Sequence, residues 1–287
     1  IEALPHLFKD NGYSTVALHS FDGDWWERRE KYPLLGFDTF YTRDDFDPEN
    51  TEFVRRYISD MDTFKKITDI YESSEEPLFL FCVTMQNHAD FSMRYDNMKY
   101  DIKLNNVLTA DGEHFDYAEN YLSLLRESDD ALEYLIEYLR NSDEPTIVVF
   151  FGDHYPTLDS DFYDALLNTD VGSITIEDSL PMYNTSYFVW ANYDIGSSLG
   201  EDGIISPNFL GQDILDMAGI ESPASRACLR VLHEEISAIS AIAIYDNDGN
   251  PYGYSEQLPD ELQKILDDYS FIQYGLIYYS DSESDDE

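Results

Sequence analysis

The stretch VVFFGDHYP, residues 148–156, decides how this chain is read. Val148 to Phe151 are β-branched or aromatic with no polar alternation, which predicts a short, fully buried strand. Gly152 predicts a tight exit, and Pro156 bars the chain from continuing in the ladder. The strand therefore delivers an acid and an imidazole, Asp153 and His154, side by side at its C-terminal end. Taken alone, the pair reads as a turn residue and a partly exposed neighbour. A second reading places both on the rim of a metal or phosphate site.

Working outward, two more strands end in the same way. STVAL ends at His19, and PLFLFCVTM (77–85) runs into Gln86, Asn87 and His88. Three of the six histidines thus lie at predicted strand C-termini. In an open parallel sheet, that is the edge where the loops leave a crevice for ligands. One such histidine is an ordinary structural residue, but three on one rim point to a site.

The intervening segments read as helices. IEALPHLFKDNG carries Leu4, Leu7 and Phe8 on one face and closes at Gly12. Helical stretches follow near 50–71 and 161–167. A long amphipathic helix over 117–140 has Leu125, Leu132, Leu135, Ile136 and Leu139 on one stripe, with acids between them. SPNFLGQDILDMAGI opens at Ser206, with Pro207 in its first turn, and ends at Gly219. With YFVWA (187–191) as a further strand, this alternation predicts an α/β fold with a mainly parallel sheet. After about residue 236 the texture changes. AIAIYDNDGNPYGY predicts a hairpin, a helix follows near 259–268, and SDSESDDE reads as a disordered acidic tail.

Composition narrows the class of partner. At 287 residues the chain can bury a sizeable core. Its 59 acids against 17 Lys and Arg, a net charge of −42, repel a phosphate backbone and exclude nucleic-acid binding. The same charge opposes adsorption to anionic lipid. An anionic substrate then needs a local cation, either a metal or a well-placed Arg. Cys82 and Cys228 lie in apolar surroundings and read as buried free thiols. No apolar run approaches the ~20 residues that cross a bilayer, and no signal peptide is visible, so any membrane anchor is expected outside this chain.

Residue chemistry assigns candidate roles. Asp153 and His154 offer a hard oxygen and an imidazole nitrogen, a pair suited to Mn²⁺ or Zn²⁺, with further ligands needed from elsewhere. His19 and His88 can donate to a phosphate or sulfate oxygen or transfer a proton. Arg28 can grip an anionic oxygen through its guanidinium fork, with Trp26 as an apolar wall. The plainer reading of WWERRE is an exposed helix start with a buried Trp. No hydroxyl or thiol stands in a convincing nucleophile context. Thr84 and Thr157 lie near the rim without a strand-to-helix elbow, and Cys82 is inside its strand. DNDGN (246–250) is similar to a calcium loop but has Gln257 where the bidentate Glu would stand.

With these motifs the chain resembles the lipoteichoic acid synthase and phosphoglycerol transferase family of the alkaline phosphatase–sulfatase superfamily. The match runs in order through LPHLFKDNGYSTVALHS, DWWERREKYPLLGFDTFY, PLFLFCVTMQNH, the helix leading to TIVVFFGDH, NTSYFVWANYDI and SPNFLGQDILDMAGI. The resemblance implies a three-layer α/β/α sandwich with a mainly parallel sheet and a small C-terminal α+β extension. It divides the chain into a catalytic domain at 1–235 lacking its N-terminal portion, the extension at 236–279 and the tail at 280–287. It implies one divalent metal, Mn²⁺ before Mg²⁺, Zn²⁺ or Ca²⁺, with Asp153 and His154 as two ligands. His88 matches the histidine facing the substrate phosphate, and His19, Trp26 and Arg28 match residues lining the glycerol-phosphate pocket. The family's threonine nucleophile and a further acidic ligand would lie upstream of Ile1, so this chain alone is expected to be inactive.

The implied activity is phosphoglycerol transfer from an anionic lipid head group such as phosphatidylglycerol, by an extracytoplasmic, membrane-anchored protein of a bacterial envelope. Sulfatase-type ester hydrolysis is the alternative, and a non-catalytic binding module the second. The chain departs from the family pattern at HS (19–20), NHADF (87–91) and GDHYP (152–156), which bears on acceptor and head group.

Overall fold

The structure is a computed structural model and describes residues 3–196, 203–254 and 257–278. Its described residues fall into two compact units. One holds the chain up to Thr146 together with Pro156–Ile174. The other holds Ile147–Tyr155 and the described residues from Thr175 onward. The acidic tail at 280–287 lies outside the described residues.

The first unit is built on a parallel sheet. Helix α1 (Leu4–Asp10) buries Leu7 and Phe8 and leads into strand β1 (Ser14–His19), whose last five residues are buried. A 3-10 turn at Trp25–Glu27 and helix α2 (Arg28–Leu34) then lead to β2 (Thr39–Tyr41). Gly36 makes this return possible: its φ is +95°, and a Cβ there would sit 2.7 Å from the His6 ring. The hairpin β3 (Phe53–Val54) and β4 (Tyr57–Ile58) precedes α3 (Asp60–Ser73), capped by Ser59, and then comes β5 (Leu78–Val83). β1 lies between β2 and β5, parallel to both, with His19 opposite Val83. The C-terminal ends of β1 and β5 therefore share one edge.

Helix α4 (Asp116–Arg140) is where the expected leucine stripe needs correction. Leu124, Ala131, Leu135 and Leu139 are buried, whereas Leu125 is exposed. The stripe turns with the 3.6-residue period, which selects Leu124 over its neighbour. The acids are not all solvated either. Glu119, Ser123, Glu127 and Asp130 recur along one side of the helix and receive Leu104 N, Ile102 N, Lys99 N and the Tyr100 hydroxyl. They fasten the irregular segment 99–104 to the helix. Val54, Phe91, Met98 and Leu124 form the core beneath it. Helix α5 (Ser160–Leu167) completes this unit.

In the second unit, β6 (Ile147–Phe151) pairs antiparallel with β7 (Tyr187–Ala191). The fully buried strand expected at 148–151 is not seen, since Phe150 and Phe151 are 37% and 38% exposed. β6 is hydrogen-bonded along one edge only among the described residues, which leaves its outer rings accessible. A short α6 (Ile176–Ser179), α7 (Pro207–Met217) and α8 (Ala224–His233) follow. The antiparallel sheet of β8 (Ile236–Ile239), β9 (Ala243–Asp246) and β10 (Pro251–Gly253) contains the hairpin read from DNDGN. There Asp246 Oδ1 accepts from the Asp248 and Asn250 amides, so turn formation occupies that carboxylate. Helix α9 runs Asp260–Tyr278, well past the expected end near 268. Phe209, Leu232, Ile236, Ile244 and Leu262 form this unit's core.

Candidate active site

The shared edge of β1 and β5 carries His19 and His88. His19 is buried, and its Nδ1 donates to the Val83 carbonyl at 2.9 Å across the parallel pair. A carbonyl can only accept, so the proton sits on Nδ1 and Nε2 keeps its lone pair. Burial holds the imidazole below its ordinary range; the Val83 bond opposes this, and Arg28 adds to the lowering. His88 is exposed, and its Nδ1 donates to its neighbour's carbonyl at Ala89, 2.9 Å away. Its Nε2 is likewise left as the available ring nitrogen.

Two aromatic rings link the histidines. His19 meets Phe21 edge-on at 6.3 Å, Phe21 meets Tyr57 at 5.5 Å, and Tyr57 meets His88 at 6.1 Å between ring centroids. Trp25 packs on Phe21 at 5.6 Å. Such T-shaped contacts orient rings as well as burying them. Phe21 and Tyr57 were not singled out by the sequence reading, because ring-to-ring contact depends on the β3–β4 hairpin reaching the sheet edge. The adjacent cations Arg55 and Arg56, in a chain this acidic, were the available signal.

The WWER turn has neither of its tryptophans buried, which corrects the expectation of a buried Trp. Trp25 is 52% and Trp26 82% exposed. Trp26 and Glu27 both adopt left-handed backbone angles, φ 60° and 54°. That conformation costs a non-glycine residue about 1 kcal/mol and is concentrated at ligand sites. The turn separates its cations. Arg29 pairs with Asp24 at 2.9 Å and Asp44 at 3.6 Å, and Lys31 pairs with Glu27 at 3.4 Å. Arg28 donates Nη1 to the Trp25 carbonyl at 3.2 Å and has no carboxylate within ion-pair distance among the described residues. Its remaining donors are available to an anion.

Beneath His88 lies a buried polar network. Gln86 Nε2 and Asn87 Nδ2 donate to Ser128 Oγ on α4 at 3.1 and 2.8 Å. Ser128 donates to Asp60 Oδ2 at 2.5 Å, and the Asp60 amide donates to Gln86 Oε1 at 2.8 Å. Asp60 is 3% exposed; burial pushes its carboxyl up to about 6, against its hydrogen bonds from Ser128, Thr84 and the Gln86 side. The Cys82 thiol gains no nucleophile character here. Thr84 is hydrogen-bonded to Asp60, and burial pushes the Cys82 thiol up.

Asp153 and His154 belong to the second unit, on the loop that leaves β6. Gly152 is required there by space: its amide donates to Ser186 O, its carbonyl accepts from Thr185 Oγ1 at 2.7 Å, and a Cβ would lie 3.0 Å from Thr185 Cβ. Both side chains beyond it are largely exposed. His154 Nδ1 donates to the Tyr155 carbonyl at 2.8 Å, which leaves the Nε2 lone pair 3.6 Å from Asp153 Oδ2. Donors bound to one ion at about 2.1 Å and near-tetrahedral angles stand roughly 3.4 Å apart, so the pair fits as two of an ion's ligands. Among the described residues no third His, Cys, Asp or Glu joins them. The loop borders a crevice of about 1080 Å³ within this unit, whose walls include Tyr183, Thr185, Tyr187 and Ile204.

The sulfatase family model matches residues 1–220. A putative cyclic beta-1,2-glucan modification protein of Rhizobium meliloti is 28% identical over 97% of this chain and 43% of its own length. The lipoteichoic acid synthase of Staphylococcus saprophyticus is 22% identical over 77% of this chain and 33% of its own. The chain thus spans less than half the length of these relatives. Among solved structures, the Streptococcus pyogenes phosphoglycerol transferase GacH, in complex with sn-glycerol-1-phosphate, superposes with a TM-score of 0.66. That match has 24% identity and covers 92% of this chain and 61% of GacH. The sulfatase family model over residues 1–220 shows that the chain belongs to the sulfatase family, and its similarity extends to the lipoteichoic acid synthases in sequence and to the phosphoglycerol transferase GacH in fold.

Proposed function

We propose that the protein containing this chain is a metal-dependent phosphoglycerol transferase that acts on glycerol-phosphate lipid head groups. The observation that carries this reading is the grouping of His19 and His88 around the Phe21–Tyr57 pair, with the carboxylate-free Arg28 held on the Trp25 turn that packs on Phe21, in an otherwise acidic chain. Arg28 supplies a planar fork for two phosphoryl oxygens, and His88, in its imidazolium form, donates Nε2–H to the same group. His19, neutral and with its lone pair on Nε2, accepts a hydrogen bond from a glycerol hydroxyl, while exposed Trp26 covers the glycerol carbons. Asp153 and His154 are two ligands of a divalent ion, Mn²⁺ in our reading. Such an ion would supply Lewis-acid charge stabilisation. The attacking hydroxyl in this reading is a threonine of the intact protein that is not among these residues.

The likeness to GacH with its bound sn-glycerol-1-phosphate supports the head-group choice. A saccharide hydroxyl is the proposed acceptor, because the glucan-modification relative matches this chain over 97% of its length. The protein is read as extracytoplasmic and anchored by a segment outside this chain; no described helix is long and apolar enough to cross a membrane.

Mn²⁺-dependent release of diacylglycerol from phosphatidylglycerol by the intact protein tests the reading, with a β-glucan as acceptor and an aryl sulfate in parallel. Turnover of the lipid that is lost in Asp153→Asn and His88→Ala supports it. Hydrolysis of the sulfate ester alone establishes the sulfatase alternative, which the family match supports.

A further inference from the structure

We propose that Arg55 is a positioning residue for His88, holding the backbone arc 86–90 by its carbonyls and so setting the direction of the imidazole. The inference rests on the reading that His88 faces the substrate anion. Arg55 is 7% exposed and donates Nη2 to the carbonyls of Gln86 and His88 at 2.6 and 2.7 Å. Its Nη1 donates to the Asp90 carbonyl at 2.7 Å. These are alternate residues of one arc, converging on one guanidinium. The group lies between the rings of Tyr57 and Phe91, with its carbon 5.4 and 5.5 Å from their centroids. Tyr57 is the same ring that meets His88 edge-on.

The energetics argue against Arg55 as a mere filler. Burying a cation is costly unless it is paired, and this chain offers 59 acids as partners. No carboxylate lies within ion-pair distance of Arg55 among the described residues, and Asp90 contributes its carbonyl rather than its side chain. The loop carbonyls take the place of a counter-ion. The backbone adds a second cost, since Arg55 has φ 56°, a conformation glycine adopts more cheaply. Asn97 braces that strain: its Oδ1 accepts from Arg55 N at 3.0 Å, and its Nδ2 donates to the Phe53 and Arg55 carbonyls at 2.9 and 3.0 Å. Glycine would relieve the strain and lose the fork. Lysine would keep the charge without the planar donors that span alternate carbonyls.

The residues on either side are anchored separately, the Gln86 and Asn87 side chains through Ser128 and the Phe91 carbonyl through Asn120. At residue 88 itself the amide is held by the Met85 carbonyl, and the His88 carbonyl, which sets the plane of the following peptide, is held by Arg55. Arg55 spends Nη1 and Nη2 on the loop carbonyls, so its effect passes through His88.

The test is a double-mutant cycle in the intact protein, with Arg55→Gly chosen because glycine suits φ 56°. Binding of sn-glycerol-1-phosphate is titrated for the unmodified protein, Arg55→Gly, His88→Ala and the double variant, with thermal unfolding as the check on folding. Amide hydrogen exchange over 86–92 and over 14–19, and the His88 imidazole resonances, are followed in parallel. Arg55→Gly is expected to weaken binding about tenfold, to speed exchange over 86–92 while leaving 14–19 unchanged, and to shift the His88 resonances. In the His88→Ala background it is expected to weaken binding no further. Guanidinium ion at tens of millimolar is expected to restore part of the loss.

Equal losses in both backgrounds, or unchanged exchange and unchanged His88 resonances, overturn the proposal. If the unmodified protein and His88→Ala bind alike, the reading of the site fails instead. The exchange and resonance data then decide the role of Arg55 by themselves.

Discussion

Arg28 and Arg29 are neighbours with opposite surroundings. Arg29 is held by Asp24 and Asp44, and its charge is raised further into the protonated range by the Asp24 bond, whereas Arg28 faces no acid. A fork whose charge is already matched gains little from a second anion, while an unmatched one gains a bidentate, charge-assisted pair. Arg28→Ala is therefore expected to lower kcat/KM for a phosphatidylglycerol analogue by about 10²- to 10³-fold, and Arg29→Ala by less than about threefold. Steady-state kinetics of the intact protein check this, and equal losses would refute the division of labour. The alternation was legible in WWERRE as residue types. Which of the two arginines stands without an acid was not, because that depends on Asp44, a residue brought back by the turn into β2.

At the scale of elements, the Asp60–Ser128–Gln86–Asn87 network joins the first turn of α3, the middle of α4 and the loop after β5. Its hub is a carboxyl whose folded value, about 6, lies above its ordinary 3.8. The folded state then binds the proton more tightly than the unfolded chain. The stability this contributes is fully present below about pH 4 and is lost as pH rises through about 6. A shift of this size corresponds to about 3 kcal/mol at most. Unfolding free energies between pH 4 and 7 are expected to lose this slope in Asp60→Asn, and an unchanged slope would assign the titration elsewhere. The sequence reading put residue 60 inside a helical stretch near 50–71, whereas the helix begins there, at Asp60. Its burial follows from α3 packing against α4 beneath the loop, a long-range arrangement that no local pattern encodes.

Helix α4 makes the same point in reverse. Its apolar stripe was legible in outline, but several of the acids that lie between its leucines are anchors. Glu119 is buried, and burial alone would raise its carboxyl; Lys103, the Leu104 amide and His114 outweigh that and hold it below its ordinary range.

For the whole molecule the dominant quantity is a net charge of −42. Like charges spread over one surface repel across distances that salt can screen, since the Debye length falls from about 10 Å at 0.1 M to about 3 Å at 1 M. The melting temperature is expected to rise by several degrees between these concentrations, equally for NaCl and tetramethylammonium chloride. A rise confined to one cation would indicate specific ion binding instead.

The sequence by itself determined the parallel α/β pattern, the placement of His19 and His88 at strand ends, and the side-by-side Asp153 and His154. Periodicity and strand-end position are local properties, carried by residues a few positions apart. The tertiary structure decided the rest: the rings that join the histidines, the arginine left without an acid, and the buried guanidinium beneath His88. Those depend on groups separated by tens of residues in the chain, whose burial and pairing are set only when the elements pack.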